Sequence, residues 1–342
     1  MEFKLENFVR PNILDLKPYN SLRESFTDED LILLEANENP FGKFNRYPDS
    51  KSVKLRQKFS EINDVKPEQI FIGNGSDELI DLIIRAFGIP GKDSIMVMNP
   101  SFVMYEFYGK VNDLKVEKLN LNQDFQIDKE DFDSQIKTSK SKLLFLCSPN
   151  NPTGNSIANL EYFISNFNGI VVVDEAYIEF SKEISAVCLL DKYPNLIVLK
   201  TLSKAFGMAG LRIGIGFASK EISDLITTMK PPYNVSSENQ NLALENLSND
   251  ENFEENLNLI LSERDQLKEE LVDLKIVSKI YNSDCNFLLI EFENVELVYK
   301  KLLENKIFTS LRHPAIEKCL RINVGNPSEN DSLVSVLNQL SK

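Results

Sequence analysis

The sequence is poor in the residues that build disulfide frameworks and metal centres. It has only four cysteines and one histidine in 342 residues. The cysteines lie far apart and form no CxxC pair: Cys147, Cys188, Cys285 and Cys319. This spacing predicts neither a disulfide framework nor a zinc site, so we expect reduced, mostly buried thiols and no bound metal.

Long apolar segments are also missing. No apolar run approaches the ~18 residues that a membrane-spanning helix needs. The first residues, MEFKLENFVRPN, are charged and lack the apolar region of a signal peptide. The net charge of −14 argues against nucleic acid or an anionic membrane as a partner. We therefore expect a cytoplasmic protein, in which a local group of arginines could still bind an anionic substrate.

Short, continuous apolar runs rich in β-branched residues are present in the first two thirds of the chain. Such runs are typical of strands that are buried on both faces of a mostly parallel sheet. Helical patterns lie between them, for example Asp77–Phe87, with Ser76 and Asp77 as the expected caps. The alternation predicts an α/β core. The apolar runs are Ile70–Ile72, Ser94–Met98, Leu143–Cys147, Ile170–Val173, Leu196–Leu199 and Ile213–Phe217.

The pattern changes after Pro231 and Pro232. Two long amphipathic helices are expected there, followed by alternating strands and helices. We predict a large domain, residues 35–233, with a mostly parallel central sheet flanked by helices. A smaller α+β domain would be formed by residues 1–34 and 234–342. The elements expected in it are helices at Ser236–Leu247, Asn252–Leu274, Val295–Asn305 and Glu329–Leu340, and strands at Phe287–Glu291 and Leu320–Val324.

Chemically informative residues follow the strands of the large domain. Lys204 comes directly after the run that ends at Leu199, at the edge of the sheet where α/β proteins bind ligands. Asp174 ends another buried strand. Beside a lysine that carries a Schiff base, such a carboxylate would pair with a protonated pyridine nitrogen and keep that ring an electron sink.

Two irregular segments add to this pattern. Ser148–Gly154 has two prolines and a glycine, which fix a loop from which an asparagine side chain can donate to a ring oxygen. Gly73–Asp77 leads from a strand into a helix, and small residues there expose backbone N–H groups that can bind a phosphate.

Together these segments resemble the fold-type-I aminotransferases, and most closely the histidinol-phosphate aminotransferase family. The resemblance covers nearly the whole chain and keeps the family's order of motifs. The segments that carry it are Glu35–Pro40, Arg46–Pro48, Ser148–Gly154, Asp174–Phe180, Thr201–Gly214 and Leu320–Gly325.

The resemblance implies pyridoxal 5'-phosphate (PLP) as the cofactor. Lys204 is then expected to hold it as a Schiff base and to move the proton during catalysis. Asp174 is expected to meet the pyridine nitrogen, Tyr177 and Asn151 to bind the ring O3', and Phe102 to stack on the ring. A further set is expected to hold the cofactor phosphate: Gly75, Ser76, Asp77, Thr201, Ser203 and Arg212.

The resemblance also implies a homodimer and a substrate site. Tyr47 is expected to reach the cofactor phosphate of the neighbouring subunit. Arg321 should bind the substrate α-carboxylate through a bidentate fork, with Asn37 as a helper. Arg312 is the candidate for the substrate phosphate. His313, the only histidine, is expected to have no more than a binding role.

The predicted reaction moves an amino group between glutamate and imidazole acetol phosphate, which gives 2-oxoglutarate and histidinol phosphate in histidine biosynthesis. Only eight residues separate Arg312 from Arg321, fewer than is usual in the family. A smaller phosphorylated ketone or aldehyde is therefore the main alternative.

Three other functions stay open at lower weight, and a fourth fails on its motif. In an aromatic-amino-acid aminotransferase, Arg312 would face an apolar substrate side chain, for which a cation is poorly suited. A phospho-amino-acid decarboxylase would differ from an aminotransferase only in which bond at the substrate Cα lies perpendicular to the cofactor ring. A PLP-binding regulator would need a DNA-binding motif or basic patch, and none is visible. An NAD-binding Rossmann enzyme is disfavoured because Gly73–Asp77 is not GxGxxG.

Overall fold

The computed structural model describes residues 3–19, 32–249 and 252–341. Its main feature is a seven-stranded sheet with the order β1-β7-β6-β5-β4-β2-β3. Strand β7 runs antiparallel to both of its neighbours, and the other pairs are parallel. All six predicted apolar strands are present. The bounds are β1 Ile70–Asn74, β2 Ser94–Asn99, β3 Lys115–Asn120, β4 Ser141–Cys147, β5 Ile170–Asp174, β6 Leu196–Thr201 and β7 Ile213–Ala218.

Both faces of this sheet are buried. In β5, Val171 and Val173 belong to one hydrophobic cluster, whereas Ile170 and Val172 belong to another on the opposite face. Because successive strand residues point to opposite faces, the continuous apolar runs cover both sides at once. The helices of this part are α1 Pro11–Leu14, α2 Val53–Asn63, α3 Gly75–Phe87, α4 Val103–Val111, α5 Lys129–Thr138, α6 Leu160–Asn166 and α7 Lys220–Met229.

Helix α3 begins earlier than predicted. Its N-cap is Asn74, and Ser76 and Asp77 therefore lie in the first turn instead of at the cap. The Asn74 side chain makes no capping hydrogen bond. The carboxylate of Glu78 accepts the hydrogen bond of the Asn74 backbone N–H at 2.6 Å. The prediction that Ser76 and Asp77 cap this helix was therefore wrong, because the positive φ of Gly75 (78°) lets the turn close two residues earlier.

The C-terminal part has its own antiparallel sheet, with the order β10-β11-β9-β8. One face of this sheet packs on helices, with Leu288, Ile290, Leu320 and Ile322 in a separate hydrophobic core. The elements that follow α7 along the chain are α8 Ser237–Asn249, α9 Phe253–Val272, β8 Val277–Ile280, β9 Phe287–Phe292, α10 Val295–Glu304, β10 Ser310–Leu311, β11 Cys319–Asn323 and α11 Pro327–Leu340.

The part of the N-terminal segment that the structure describes, residues 3–19, packs on the helices that flank the large sheet. Val9 and Ile13 are buried in the cluster that contains α3, and the Arg10 N–H donates to the Ala86 carbonyl at 2.9 Å. For residues 3–19 this differs from the expected docking on the small domain, because their apolar side chains complete the cover over α3. Residues 20–31 lie outside the described residues, and a boundary near residue 234 stays a prediction.

Helix α8 belongs to the core under the large sheet, where Ala243 is buried. Among the described residues, no helix is both long and apolar enough to cross a membrane.

Candidate active site

A cavity opens at the edge of the large sheet where β4, β5 and β6 end. The last residue of each strand lines it: Cys147, Asp174 and Thr201. Parallel strands end at the same edge, which explains why residues far apart in sequence meet there. Ten of the residues predicted for catalysis or cofactor binding line this cavity: Ser76, Asp77, Phe102, Asn151, Asp174, Tyr177, Thr201, Ser203, Lys204 and Arg212.

Lys204 lies two residues after Leu202, which anchors the segment after β6 in the core. Its Nζ is 5.6 Å from the centroid of the Tyr177 ring. Burial lowers the pKa of Lys204, and the positive charge of Arg321 lowers it further. Both effects favour the neutral amine, which is the nucleophilic form of a lysine.

Asp174 is only 3% exposed, although it faces the cavity. Its Oδ1 accepts the Ala176 backbone N–H at 3.1 Å, and its Oδ2 accepts the Tyr105 hydroxyl at 2.7 Å. Burial raises the pKa of Asp174, whereas the hydrogen bond from Tyr105 lowers it. Tyr105 was not predicted as a site residue, because its place in α4 resembles that of a core aromatic.

The opposite end of the cavity has the groups expected to bind a phosphate. Arg212 has a φ of 52°, and its Nη1 is 3.4 Å from Ser203 Oγ and its Nη2 is 3.7 Å from Asp77 Oδ2. A Cβ at Gly75 would lie 2.5 Å from Arg212 Nη2. A Cβ at Gly214 would lie 2.4 Å from the Ser76 backbone nitrogen.

A side chain at Gly75 would collide with the Arg212 guanidinium, and one at Gly214 would collide with the first turn of α3. The absence of side chains at both glycines keeps the space between these groups open. The first turn of α3 and the guanidinium therefore approach each other closely, with backbone N–H groups, hydroxyls and one cation around a small space. Such a donor set fits a phosphate group.

Arg321 lies beside the cavity without lining it. Its Nη1 donates to Asn151 Oδ1, and its guanidinium stands 5.2 Å from the centroid of the Phe287 ring. Arg312 donates from Nη2 to Ser310 Oγ. Burial lowers the pKa of Arg312, and electrostatic repulsion by the charge of Arg321 lowers it further.

Neither arginine forms a salt bridge with any described residue, and the Nε of each is buried without a hydrogen-bond partner there. Burying an unpaired charge is costly, so two such guanidinium groups indicate a site for an anionic ligand.

Two predicted residues, Tyr47 and Asn37, lie away from this cavity, in a surface loop. The Tyr47 ring stacks on Tyr233 at 4.4 Å between centroids and is half exposed. Glu38 holds the loop: its carboxylate accepts the Tyr47 N–H at 2.6 Å and pairs with Arg46 at 2.7 Å. The roles predicted for Tyr47 and Asn37 stay predictions.

His313 lies in the loop between β10 and β11. Its Nδ1 accepts the Lys318 backbone N–H at 3.3 Å, and the residue does not line the cavity. The ring therefore stabilises the loop that carries Arg312.

The sequence and fold are similar to those of known enzymes. The family model "Aminotransferase class I and II" matches residues 13–337. A histidinol-phosphate aminotransferase of Christiangramia forsetii is 42% identical over 99% of this chain and 99% of its own length.

Two solved structures have the same fold. The histidinol-phosphate aminotransferase of Clostridium acetobutylicum has a TM-score of 0.79 and 27% identity, over 87% of this chain and 91% of that one. The enzyme of Sinorhizobium meliloti, solved with pyridoxal-5'-phosphate, has a TM-score of 0.80 and 21% identity, over 86% and 83% of the two chains. The chain belongs to the class I and II aminotransferases, in the group of the histidinol-phosphate aminotransferases.

Proposed function

We propose that this protein is a PLP-dependent aminotransferase that moves an amino group between glutamate and imidazole acetol phosphate, in histidine biosynthesis. The observation that carries the proposal is the full-length similarity to histidinol-phosphate aminotransferases. The cavity supports it, because one lysine, one buried carboxylate and a phosphate-type donor set surround the same space.

When bound, PLP supplies an electron sink for the bonds at the substrate Cα. Lys204 would hold it covalently and would carry the proton at Nζ once the substrate amine has replaced that link. Asp174 would face the pyridine nitrogen, while Tyr177 and Asn151 would donate to O3'. Phe102 would cover one face of the ring.

The phosphate end and the substrate end are separate groups of residues. The first turn of α3 and the side chains of Thr201, Ser203 and Arg212 would bind the cofactor phosphate. Arg321 would bind the α-carboxylate of glutamate. Arg312 would bind the second anion, which is the side-chain carboxylate of glutamate or the phosphate of histidinol phosphate. One pocket would thus serve both half-reactions.

We further propose a cytoplasmic homodimer in which Tyr47 reaches the partner's site. The stacking of Tyr47 on Tyr233 supports this, because it holds an exposed phenol at the surface away from the subunit's own cavity. Exposed apolar side chains in the same loop, Phe41 and Phe44, are a surface that a second copy could cover.

A smaller phosphorylated ketone or aldehyde is the second candidate substrate. The short loop between Arg312 and Arg321 supports it, because a shorter loop could reshape the side-chain end of the pocket.

A half-reaction screen tests the proposed function. Purified enzyme loaded with PLP is mixed with one amine at a time: histidinol phosphate, a smaller phosphorylated amine, glutamate or phenylalanine. The rate at which the absorbance of the lysine-bound cofactor disappears is then measured, with Asp174→Asn, which keeps Lys204, as the slow control.

We expect histidinol phosphate and glutamate to react fastest. A faster reaction with the smaller phosphorylated amine would select the second candidate. If phenylalanine reacts faster than every phosphorylated amine, both phosphorylated substrates are wrong.

A further inference from the structure

Tyr105 occupies a fully buried position beside the cavity. It lies in α4, one turn after Phe102, and is 0% exposed. Its ring stacks on Phe145 with 4.9 Å between centroids and meets Phe102 edge-on at 5.5 Å. Aromatic contacts on two sides fix the orientation of the Tyr105 ring and therefore the position of its hydroxyl.

The fixed Tyr105 hydroxyl lies next to the carboxylate of Asp174. The Tyr105 hydroxyl donates to Oδ2 at 2.7 Å, while the Ala176 N–H donates to Oδ1 at 3.1 Å. Each carboxylate oxygen has two lone pairs, so one protein donor on each oxygen leaves acceptor capacity towards the cavity. The two donors together determine how the carboxylate plane is turned.

The hydroxyl remains a donor under all ordinary conditions. Burial, and then the negative charge of Asp174, raise the pKa of Tyr105 well above its usual value. The other titratable groups that interact with Asp174 are Asp77, Lys204, Cys147 and Tyr177. Of these, Lys204 favours the charged carboxylate, and Asp77 opposes it.

We propose that Tyr105 is a positioning residue for Asp174: its hydroxyl keeps the buried carboxylate ionised and turned towards the place where a protonated pyridine nitrogen would lie. This rests on the proposed function in one respect, namely that the cofactor nitrogen faces Asp174. Without the hydroxyl, the same carboxylate would still be present, but a neutral acid would be favoured by its burial.

The test is Tyr105→Phe in the holoenzyme, which keeps the ring contacts and removes only the hydroxyl. Enzyme is loaded with PLP labelled with ¹⁵N in the ring, and the nitrogen chemical shift is measured by NMR. We expect the signal to move towards the unprotonated position. We also expect kcat for glutamate to fall about 10-fold, with KM changed less than about 3-fold.

Tyr108→Phe is the matched control, because Tyr108 lies one turn later in α4. The charges that act on its hydroxyl are those of Asp77 and Asp81, not that of Asp174. This variant should keep the nitrogen signal and kcat of the wild type. Thermal unfolding of both variants checks that the fold is intact.

Asp174→Asn separates the two ways in which the idea could fail. If Asp174→Asn leaves the nitrogen signal unchanged, the cofactor nitrogen does not face Asp174, and the proposed cofactor pose is wrong. If Asp174→Asn moves the signal and Tyr105→Phe does not, the positioning role of Tyr105 is overturned while the proposed function stands.

Discussion

Arg321 donates a hydrogen bond from its guanidinium to the side-chain oxygen of Asn151. Arg321 lies on β11 of the C-terminal sheet, and Asn151 lies in the loop after β4 of the large sheet. The bond therefore joins the two parts of the chain at the mouth of the cavity. The bond uses the Asn151 oxygen as the acceptor, so a ligand oxygen would be bound through the Asn151 amide N–H groups, which donate.

Replacing Arg321 should affect α-amino acids most. Charge-assisted hydrogen bonds are worth about 2–3 kcal/mol, so we expect Arg321→Ala to lower kcat/KM for glutamate by about 30- to 150-fold. Histidinol phosphate has no carboxylate and should lose less. Half-reaction kinetics with both amines measure the difference. Equal losses for the two would remove Arg321 from carboxylate binding.

Replacing Arg312 should affect most the substrates that carry an anion on the side chain. We expect Arg312→Ala to lower kcat/KM for phosphorylated amines by about 30- to 150-fold and to leave an uncharged amino acid almost unchanged. Lys318→Ala is the control, because it removes an exposed cation from the same loop. If this control reproduces the loss, the effect of Arg312 is one of overall charge and not of a specific contact.

The lowered pKa of Lys204 predicts the pH dependence of cofactor attachment. The neutral amine attacks the cofactor, so the rate at which the apoenzyme captures PLP should rise with pH. Its midpoint should lie below the ordinary lysine value of 10.5, because burial and Arg321 both disfavour the charged form.

Arg321→Ala removes the second of these causes and should raise the midpoint. Stopped-flow absorbance at a series of pH values measures both proteins. A midpoint that moves down in the variant would contradict the assignment.

Asp174→Asn should separate cofactor binding from catalysis. The phosphate contacts and Lys204 are untouched, so PLP should remain bound. Losing a preorganised charge opposite the pyridine nitrogen should raise the barrier by about 3 kcal/mol or more, which is at least about 100-fold in kcat. Absorbance gives the bound cofactor and steady-state assays give kcat. Turnover near that of the wild type would exclude Asp174 from the mechanism.

The proposed dimer predicts complementation between two defective proteins. Lys204→Ala and Tyr47→Phe homodimers should each have low activity. In a heterodimer, one of the two sites combines an intact Lys204 with an intact Tyr47. Random mixing makes half of the dimers mixed, so about a quarter of the sites should be restored. A fully active monomer, observed by light scattering during the assay, would rule out the shared site.

The sequence predicted the strands that are buried on both faces, because their apolar runs are continuous. It did not predict β3, Lys115–Asn120, in which Lys115, Glu117 and Lys118 interrupt the apolar pattern and only Leu119 is buried, as suits an edge strand. It also missed β8, whose residues are at best partly buried. Edge strands have weak apolar patterns because only part of their surface is covered.

Within the site, motifs identified residues next to strand ends but not their partners. Asn151 and Arg321 are 170 residues apart, and Tyr105 and Asp174 are 69 apart. No local pattern encodes either contact. Both arise from the order of strands in the sheet and from the packing of the second sheet on the first, which are properties of the folded chain.

Gly214 on β7 has a consequence for inherited variation. A Cβ there would lie 2.4 Å from both the Ser76 nitrogen and the Gly75 carbonyl carbon, and backbone atoms cannot turn aside as a flexible side chain can. Every missense change of a glycine codon adds at least this one atom. The spacing between β7 and the first turn of α3 can therefore be lost in a single mutational step, but it cannot be adjusted gradually.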